Sequence, residues 1–302
     1  MYRIAAIVLV PTVVGSAAAA QVPRLTPVTS FGCDACAGPT LFSSVQAVGV
    51  AADGSILVAD TDRPMVRRFN TDGTFLGGFG RSGQGPGELL LPIAIGALGE
   101  SIVVADLRNQ AITTYDPAGA VKGTHRLNGL PTLAAFPPNG GAPIVAVTQF
   151  TGPEVSLLRF DGDSVRPLRR VTAPLFPERP EFNFDMVCVA VARDGSFAVG
   201  DGIGAYRIIL FNADGSQRHV IHRDIPRARL SAAEIRALAA QRERNMERAR
   251  QRAAAESPSG FTSPPIPEER NFFSYGALAF DEQGRLWVRV DRATGRNDVR
   301  RL

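Results

Sequence analysis

Residues 50–92 read "VAADGSILVADTDRPMVRRFNTDGTFLGGFGRSGQGPGELLLP". Six glycines fall between Gly77 and Gly87, and glycine-rich runs at helix starts cradle phosphates. The dinucleotide fingerprint G-x-G-x-x-G is matched by letter at Gly78, Gly80 and Gly83. Its context excludes it. The fingerprint must open a helix, but Gly85, Pro86 and Gly87 follow at once. Only Glu88–Leu91 then stand before Pro92, too few for a helix. A P-loop needs a lysine after its last glycine, and the single lysine of the chain is Lys122.

The residues before the glycines follow a strand-and-turn grammar. "VQAVGVA" (45–51) leads to the turn "ADGS", then to "ILVAD" (56–60) and a polar "TDRP". "VRRFN" (66–70), "TDG" and "TFLGGFG" (74–80) complete the unit. Asp-Gly between short apolar runs signals a hairpin. The runs are continuously apolar rather than alternating, which places both faces in contact with other elements. The unit recurs. "DGSILVAD" (53–60) returns within "RDGSFAVGD" (193–201), with "GESIVVAD" (99–106), "GGAPIVAVT" (140–148) and "QGRLWVRV" (283–290) in the other slots. The later turn recurs as "DPAG" (116–119), "DGD" (161–163) and "NADG" (212–215). The period is roughly 40–47 residues, seen five times, the fifth incompletely. Four short antiparallel strands repeated at this period are the blade of a β-propeller. The glycine run is then the link from the outer strand of one blade to the inner strand of the next.

Residues 50–92 resemble NHL-type repeats. They also resemble a family of exported bacterial six-bladed propellers that carry G-x-G-P-G-E before a proline, here Gly83–Glu88. "FSYGALAFDEQGRLWVRV" (273–290) resembles a late blade of that family. The likeness covers most of residues 40–302 outside one insertion. It implies an all-β fold of four-stranded antiparallel blades, six-bladed in type, with about five blades present. Because the sequence stops at Leu302 within a repeat, a truncated ring is expected; a closed five-bladed ring is the alternative. The resemblance also places ligands at the channel mouth, on the face of the second-to-third-strand loops. The candidates there are Asp60, Asp62 and Arg63; Asp106, Arg108 and Asn109; Gln149; and Asp201. For the strand-ending aspartates the competing reading is structural, an Asx-type turn.

Residues 1–20 read as a secretory signal peptide, with Arg3, the apolar run Ile4–Val14 and the site Ala18-x-Ala20. The apolar run is too short for a membrane anchor, and Pro11 interrupts it. The expected propeller domain is 21–302, periplasmic or secreted, without a membrane span after signal removal. Cys33 and Cys36 form "CDAC". No histidine follows for haem attachment and no second pair exists for zinc. A local disulfide is expected in an oxidising compartment, with two thiols as the competing reading. Cys188, within "MVCVAVA", reads as a small buried hydrophobe. The arginine-rich stretches 229–256 and 285–302 carry +3 and +4, which leaves the rest of the chain at −3 within the net charge of +4. Neither carries interleaved aromatics or a nucleic-acid motif, so no nucleic-acid partner is expected.

Residues 226–270 form an insertion between the fourth and fifth units. Ser231 with Glu234 forms a capping box, and Ile235, Leu238, Met246 and Ala249 recur at helical spacing. A helix over 231–256 is predicted, followed by a proline-rich return, 257–270. It reads as a solvated helix across one face; a lid or partner-binding helix is the sharper alternative.

Amidating lyases of the NHL type hold zinc with several histidines. Here His125, His219 and His222 fall in or near fourth, outer strands. Gluconolactonase-type propellers hold calcium at the inner-strand ends, where only Asp185 offers a carboxylate. No catalytic residue, metal site or cofactor is assigned. The expected function is a binding or scaffold module for an unidentified protein or small-molecule ligand. The alternative is a divalent-metal-dependent hydrolase or lyase, lactonase-like or amidating-lyase-like, with its site at the central channel.

Overall fold

The computed structural model describes residues 5–6, 29–32, 38–42, 45–60, 63, 65–149, 154–172, 187–201, 206–253, 269, 273, 276–290 and 298–301. Cys33, Cys36, Asp62 and Asp185 lie outside the described residues, as does all of 1–20 except Ala5–Ala6.

Four sheets of four strands and one of three follow one another in the chain, each antiparallel and in simple sequence order. Blade 1 comprises Val45–Val50, Ile56–Asp60, Met65–Phe69 and Phe75–Phe79. Blade 2 comprises Pro92–Leu98, Ser101–Asp106, Ala111–Tyr115 and Val121–Arg126. Blade 3 comprises Leu130–Ala135, Ile144–Thr148, Glu154–Phe160 and Val165–Thr172. Blade 4 comprises Val187–Val191, Phe197–Asp201, Tyr206–Phe211 and Gln217–Arg223. Blade 5 contributes Leu278–Phe280, Leu286–Val290 and Asp298–Arg301. The fold is an all-β propeller with one inserted helix.

The inner strand of each blade packs on the inner strand of the next, from blade 1 through to blade 5. Among the described residues no comparable packing joins blade 5 back to blade 1. The core is divided accordingly. Four apolar clusters fill the wedges between successive blades. A fifth lies on the outward face of blade 1, where Phe42 and Phe31 cover Ile56, Val58 and Phe69. Strand period two explains the continuous apolar runs. In "ILVAD", Leu57 and Ala59 enter the wedge toward blade 2, while Ile56 and Val58 face Phe31 and Phe42. Burying a leucine such as Leu57 contributes about 1.5–3 kcal/mol. Cys188 is buried between blades 4 and 5 with Leu278 and Val288.

Close approach of the inner strands depends on a missing side chain. A Cβ on Gly49 would meet the Ile95 carbonyl oxygen at 2.2 Å. Backbone cannot yield at that distance, so only glycine lets blades 1 and 2 converge there.

The hairpins are built on aspartates. Asp53 accepts from the Ser55 amide at 3.0 Å and its hydroxyl at 2.6 Å. Asp194 repeats this with Ser196, and Asp214 with Ser216. The Ser hydroxyl, then the Ser amide, holds each carboxyl below its ordinary value. Arginines tie turns across blades. Arg68 donates to the Pro117 carbonyl of blade 2 at 2.6 Å, and Arg159 to the Gly195 carbonyl of blade 4 at 2.6 Å.

The helix spans Ala232–Ala253. Ser231 and Glu234 form the reciprocal cap: the Ser231 amide donates to the Glu234 carboxylate at 2.9 Å, and the Glu234 amide to Ser231 Oγ at 3.3 Å. The neck of the insertion is closed by an Arg227–Glu269 ion pair of 2.9 Å and a backbone bridge between Arg229 and Glu269. No described residue of the helix is buried, and Leu238 is exposed. Its stability rests on its cap and neck more than on packing.

Two outcomes follow. Gly49→Ala lowers stability by about 1–3 kcal/mol, the usual cost of overpacking. Gly123→Ala, where a Cβ meets nothing within 4 Å, leaves the melting temperature unchanged or slightly raised. Thermal melts of the pair decide it. The turn aspartates set an acid limb. Their folded pKa values lie below the unfolded value, so their stabilisation is present above about pH 3.9 and lost as pH falls through the folded values. Urea midpoints therefore drop from pH 5 to pH 3, and Asp194→Asn shrinks that drop.

Candidate functional site

Asp106 ends the second strand of blade 2 and is fully buried. Its carboxylate accepts from the Leu90 amide at 2.7 Å, from the Leu91 amide at 3.1 Å and from the Asn109 amide at 2.9 Å. The first two belong to the link that enters blade 2, the third to its own turn. Asn109, also buried, donates from Nδ2 to the carbonyls of Gly83 and Glu88 at 3.1 and 3.0 Å. Both candidates thus hold the glycine-rich link in place.

That link closes on itself. Arg81–Ser82 pairs in parallel with Glu88–Leu89. The Glu88 carboxylate accepts from the Gly85 amide at 2.8 Å and from Arg81 Nε at 2.7 Å. The Gly85 amide, then Arg81, keeps this carboxyl below its ordinary value. Gly83 sits at φ +149°, and a Cβ there would meet the Glu88 carboxylate at 2.0 Å. The glycines cradle an anion after all, but one supplied by the chain. Tyr115 reaches the same loop, donating its hydroxyl to the Gly87 carbonyl at 2.9 Å. Burial, then the charge of Asp106, pushes the Tyr115 hydroxyl above its ordinary value.

Blade 1 solves the same problem with opposite polarity. Asp60, fully buried, stands 3.4 Å from Arg67 Nη2. Arg67 Nη1 donates to the carbonyls of Pro39, at 3.0 Å, and Leu41, on the segment that enters blade 1. The guanidinium also lies over the Phe42 ring, 4.9 Å from its centroid. Burial lowers the Arg67 pKa, and Asp60 opposes that shift. In blade 3 Gln149, exposed, donates its amide to the Asn128 carbonyl just before the inner strand. Asp201 takes the last position of the second strand in blade 4, paired in register with Val187 and Arg207. Arg63 and Arg108 are exposed. Sequence reasoning missed Arg67, Tyr115 and Glu88. The available signal for Arg67 was the Arg67–Arg68 pair within a third strand otherwise made of Met65, Val66 and Phe69.

The second feature is an axial cavity of about 610 Å³. Its wall is formed by the inner strands of all five blades, and it runs to the first-to-second-strand hairpins at Ala51–Ala52, Gly99 and Pro137–Gly140. Among the described residues none that lines it is ionisable; Gln46 and Asn139 are the polar side chains. None of the described candidate ligand residues lines it. Phe136 and Phe280 enter from blades 3 and 5. The three histidines lie on the outer strands of blades 2 and 4. Among the described residues no group of three or more His, Cys, Asp or Glu gathers as a metal site, and no helix is long and apolar enough to cross a membrane.

A family profile described as a six-bladed β-propeller matches residues 39–139, about a third of the chain. The strand order and this match agree on an all-β propeller. No curated protein matches it. Among solved structures, it is similar to a Bacteroides caccae protein of unknown function, at 18% identity over 59% of this chain and 67% of that one, TM-score 0.41. A catalytically inactive virginiamycin B lyase variant from Staphylococcus aureus gives 11% identity over 86% and 70%, TM-score 0.44. A streptogramin B lyase gives 12% identity over 88% and 65%, TM-score 0.46.

Replacing Asp106 by Ala orphans buried amides, each costing about 1–3 kcal/mol. Urea unfolding should show a loss of about 3 kcal/mol for this propeller. Arg108→Ala, at the exposed neighbour, changes stability by less than about 0.5 kcal/mol.

Proposed function

We propose that this propeller is an exported binding or scaffold module, periplasmic or secreted, acting on a small-molecule or protein ligand without turning it over. The observation that carries this reading is the division of polar groups. Asp106, Asn109 and Gln149 are engaged with the chain's own links and Asp60 with Arg67, while the axial cavity has, among the described residues, a wall without an acid, a base or a nucleophile. General acid–base chemistry needs a titratable group within hydrogen-bond reach of the substrate, and metal chemistry needs a donor set. Ligand binding needs only a shaped, mostly apolar cavity with a few polar groups. Arg63 and Arg108 are the exposed candidates left for a partner on the link face.

The test is a turnover assay on lactone and cyclic depsipeptide substrates, with calcium, zinc or manganese added in turn. Rates equal to those of the buffer, with substrates recovered intact by mass spectrometry, are expected. Metal-dependent turnover by the purified chain would overturn the reading in favour of a hydrolase or lyase.

A further inference from the structure

We propose that the strap formed by residues 29–32 and 38–42 is an intramolecular plug. It takes the place of a neighbouring blade on the outward face of blade 1 and holds that face back from association with a second copy of the chain.

Antiparallel partners share a sheet face. The register of blade 1 therefore sets Val50, Ile56, Phe69 and Phe75 in one apolar row across all four strands. The row points away from blade 2, and among the described residues no blade packs on it. Its two ends are open: Val50 is 57% and Phe75 41% exposed. Its two middle members, Ile56 and Phe69, are buried. Burial of a sheet face without a sheet neighbour needs another cover, and the strap is that cover. The Phe31 ring lies 4.8 Å and the Phe42 ring 5.8 Å from the Phe69 ring, centroid to centroid.

Specific contacts seat the strap. Gly32, at φ +82°, stands so near Phe42 that a Cβ there would meet the ring at 2.2 Å, so the two ends of the strap converge only around a glycine. A polar clamp holds the second end. Arg67, paired with Val58 in the adjoining row, donates to the carbonyls of Pro39 at 3.0 Å and of Leu41. Asp60, 3.4 Å from that guanidinium, offsets its charge. The strap thus meets the apolar row with aromatic rings and the ion pair with backbone carbonyls. Without it the row would be open from Val50 to Phe75. Apolar groups exposed singly are ordinary surface, whereas a continuous apolar patch is a site of association. Because Asp60 offsets Arg67, two such faces would meet without opposing charges, which makes a second copy the occupant of the uncovered face.

The experiment compares the full chain with its Phe31→Ser/Phe42→Ser variant by light scattering after size exclusion and by 1-anilinonaphthalene-8-sulfonate fluorescence. The parent should be monomeric with little dye fluorescence. The double variant should dimerise and raise the fluorescence at least threefold, with its β-sheet circular dichroism unchanged. A synthetic peptide of residues 29–44, in excess, should return it to monomer; the same peptide carrying Phe31→Ser and Phe42→Ser should not. Assemblies larger than a dimer support the plug where the intact peptide reverses them and count against it where the peptide does not. Phe75→Ser, at an open end of the row, should stay monomeric. A parent already dimeric, a folded double variant that stays monomeric without added fluorescence, or a dimer that the peptide leaves unchanged overturns the proposal. If the double variant unfolds, Phe31→Ala, at a half-buried ring, carries the same readouts, and its staying monomeric without added fluorescence overturns the proposal equally.

Discussion

The grip of Asp106 on the amides of Leu90 and Leu91 is the contact on which the repeat depends. A blade chain must leave its outer strand, travel back toward the axis and start an inner strand at a fixed place. Beyond the two-residue pairing of Arg81–Ser82 with Glu88–Leu89, the link has no sheet ladder to satisfy its amides, and buried amides left unpaired are costly. A carboxylate at the end of the second strand, next to the incoming inner strand, meets that need. Blade 1 uses the same location on a different backbone group: Asp60 orients Arg67, and Arg67 takes carbonyls of Pro39 and Leu41. Blade 3 uses the amide of Gln149. The chemistry differs because amides need acceptors and carbonyls need donors; the position is shared.

Once the links are fixed, the inner strands approach closely enough that small residues dominate the axis. Gly49 against Ile95 is the tightest case. The ring of inner strands then presents mostly alanine, valine and glycine to the cavity, and polar residues are held at the second-strand ends. Separation of an apolar chamber from a polar, self-engaged link face follows from the same packing and gives the binding reading its physical basis.

The strands, the hairpin turns, the links and the inserted helix were legible in the sequence because each rests on local signals: Asp-Gly turns, apolar runs, glycine spacing and a capping box. Among the described residues the helix covers Ala232–Ala253, within the expected 231–256. The anchors were not legible. Asp106 and the Leu90 amide are 16 positions apart and Arg67 and Pro39 are 28 apart, so no local pattern joins them. Candidate residues expected around a channel mouth are divided by the fold: Asp60 and Asp106 turn into the protein, Arg63 and Arg108 turn out. Nor does any pattern reveal that Phe31 and Phe42 cover the outward face of blade 1, because that face is closed by a segment outside the repeat.

Native-state hydrogen exchange at the Leu90 and Leu91 amides tests the anchoring account most directly. Neither amide belongs to a strand ladder, so protection must come from Asp106. The account predicts exchange as slow as at inner-strand amides such as Ile95. Exchange as fast as at the exposed Asp72 amide would contradict it.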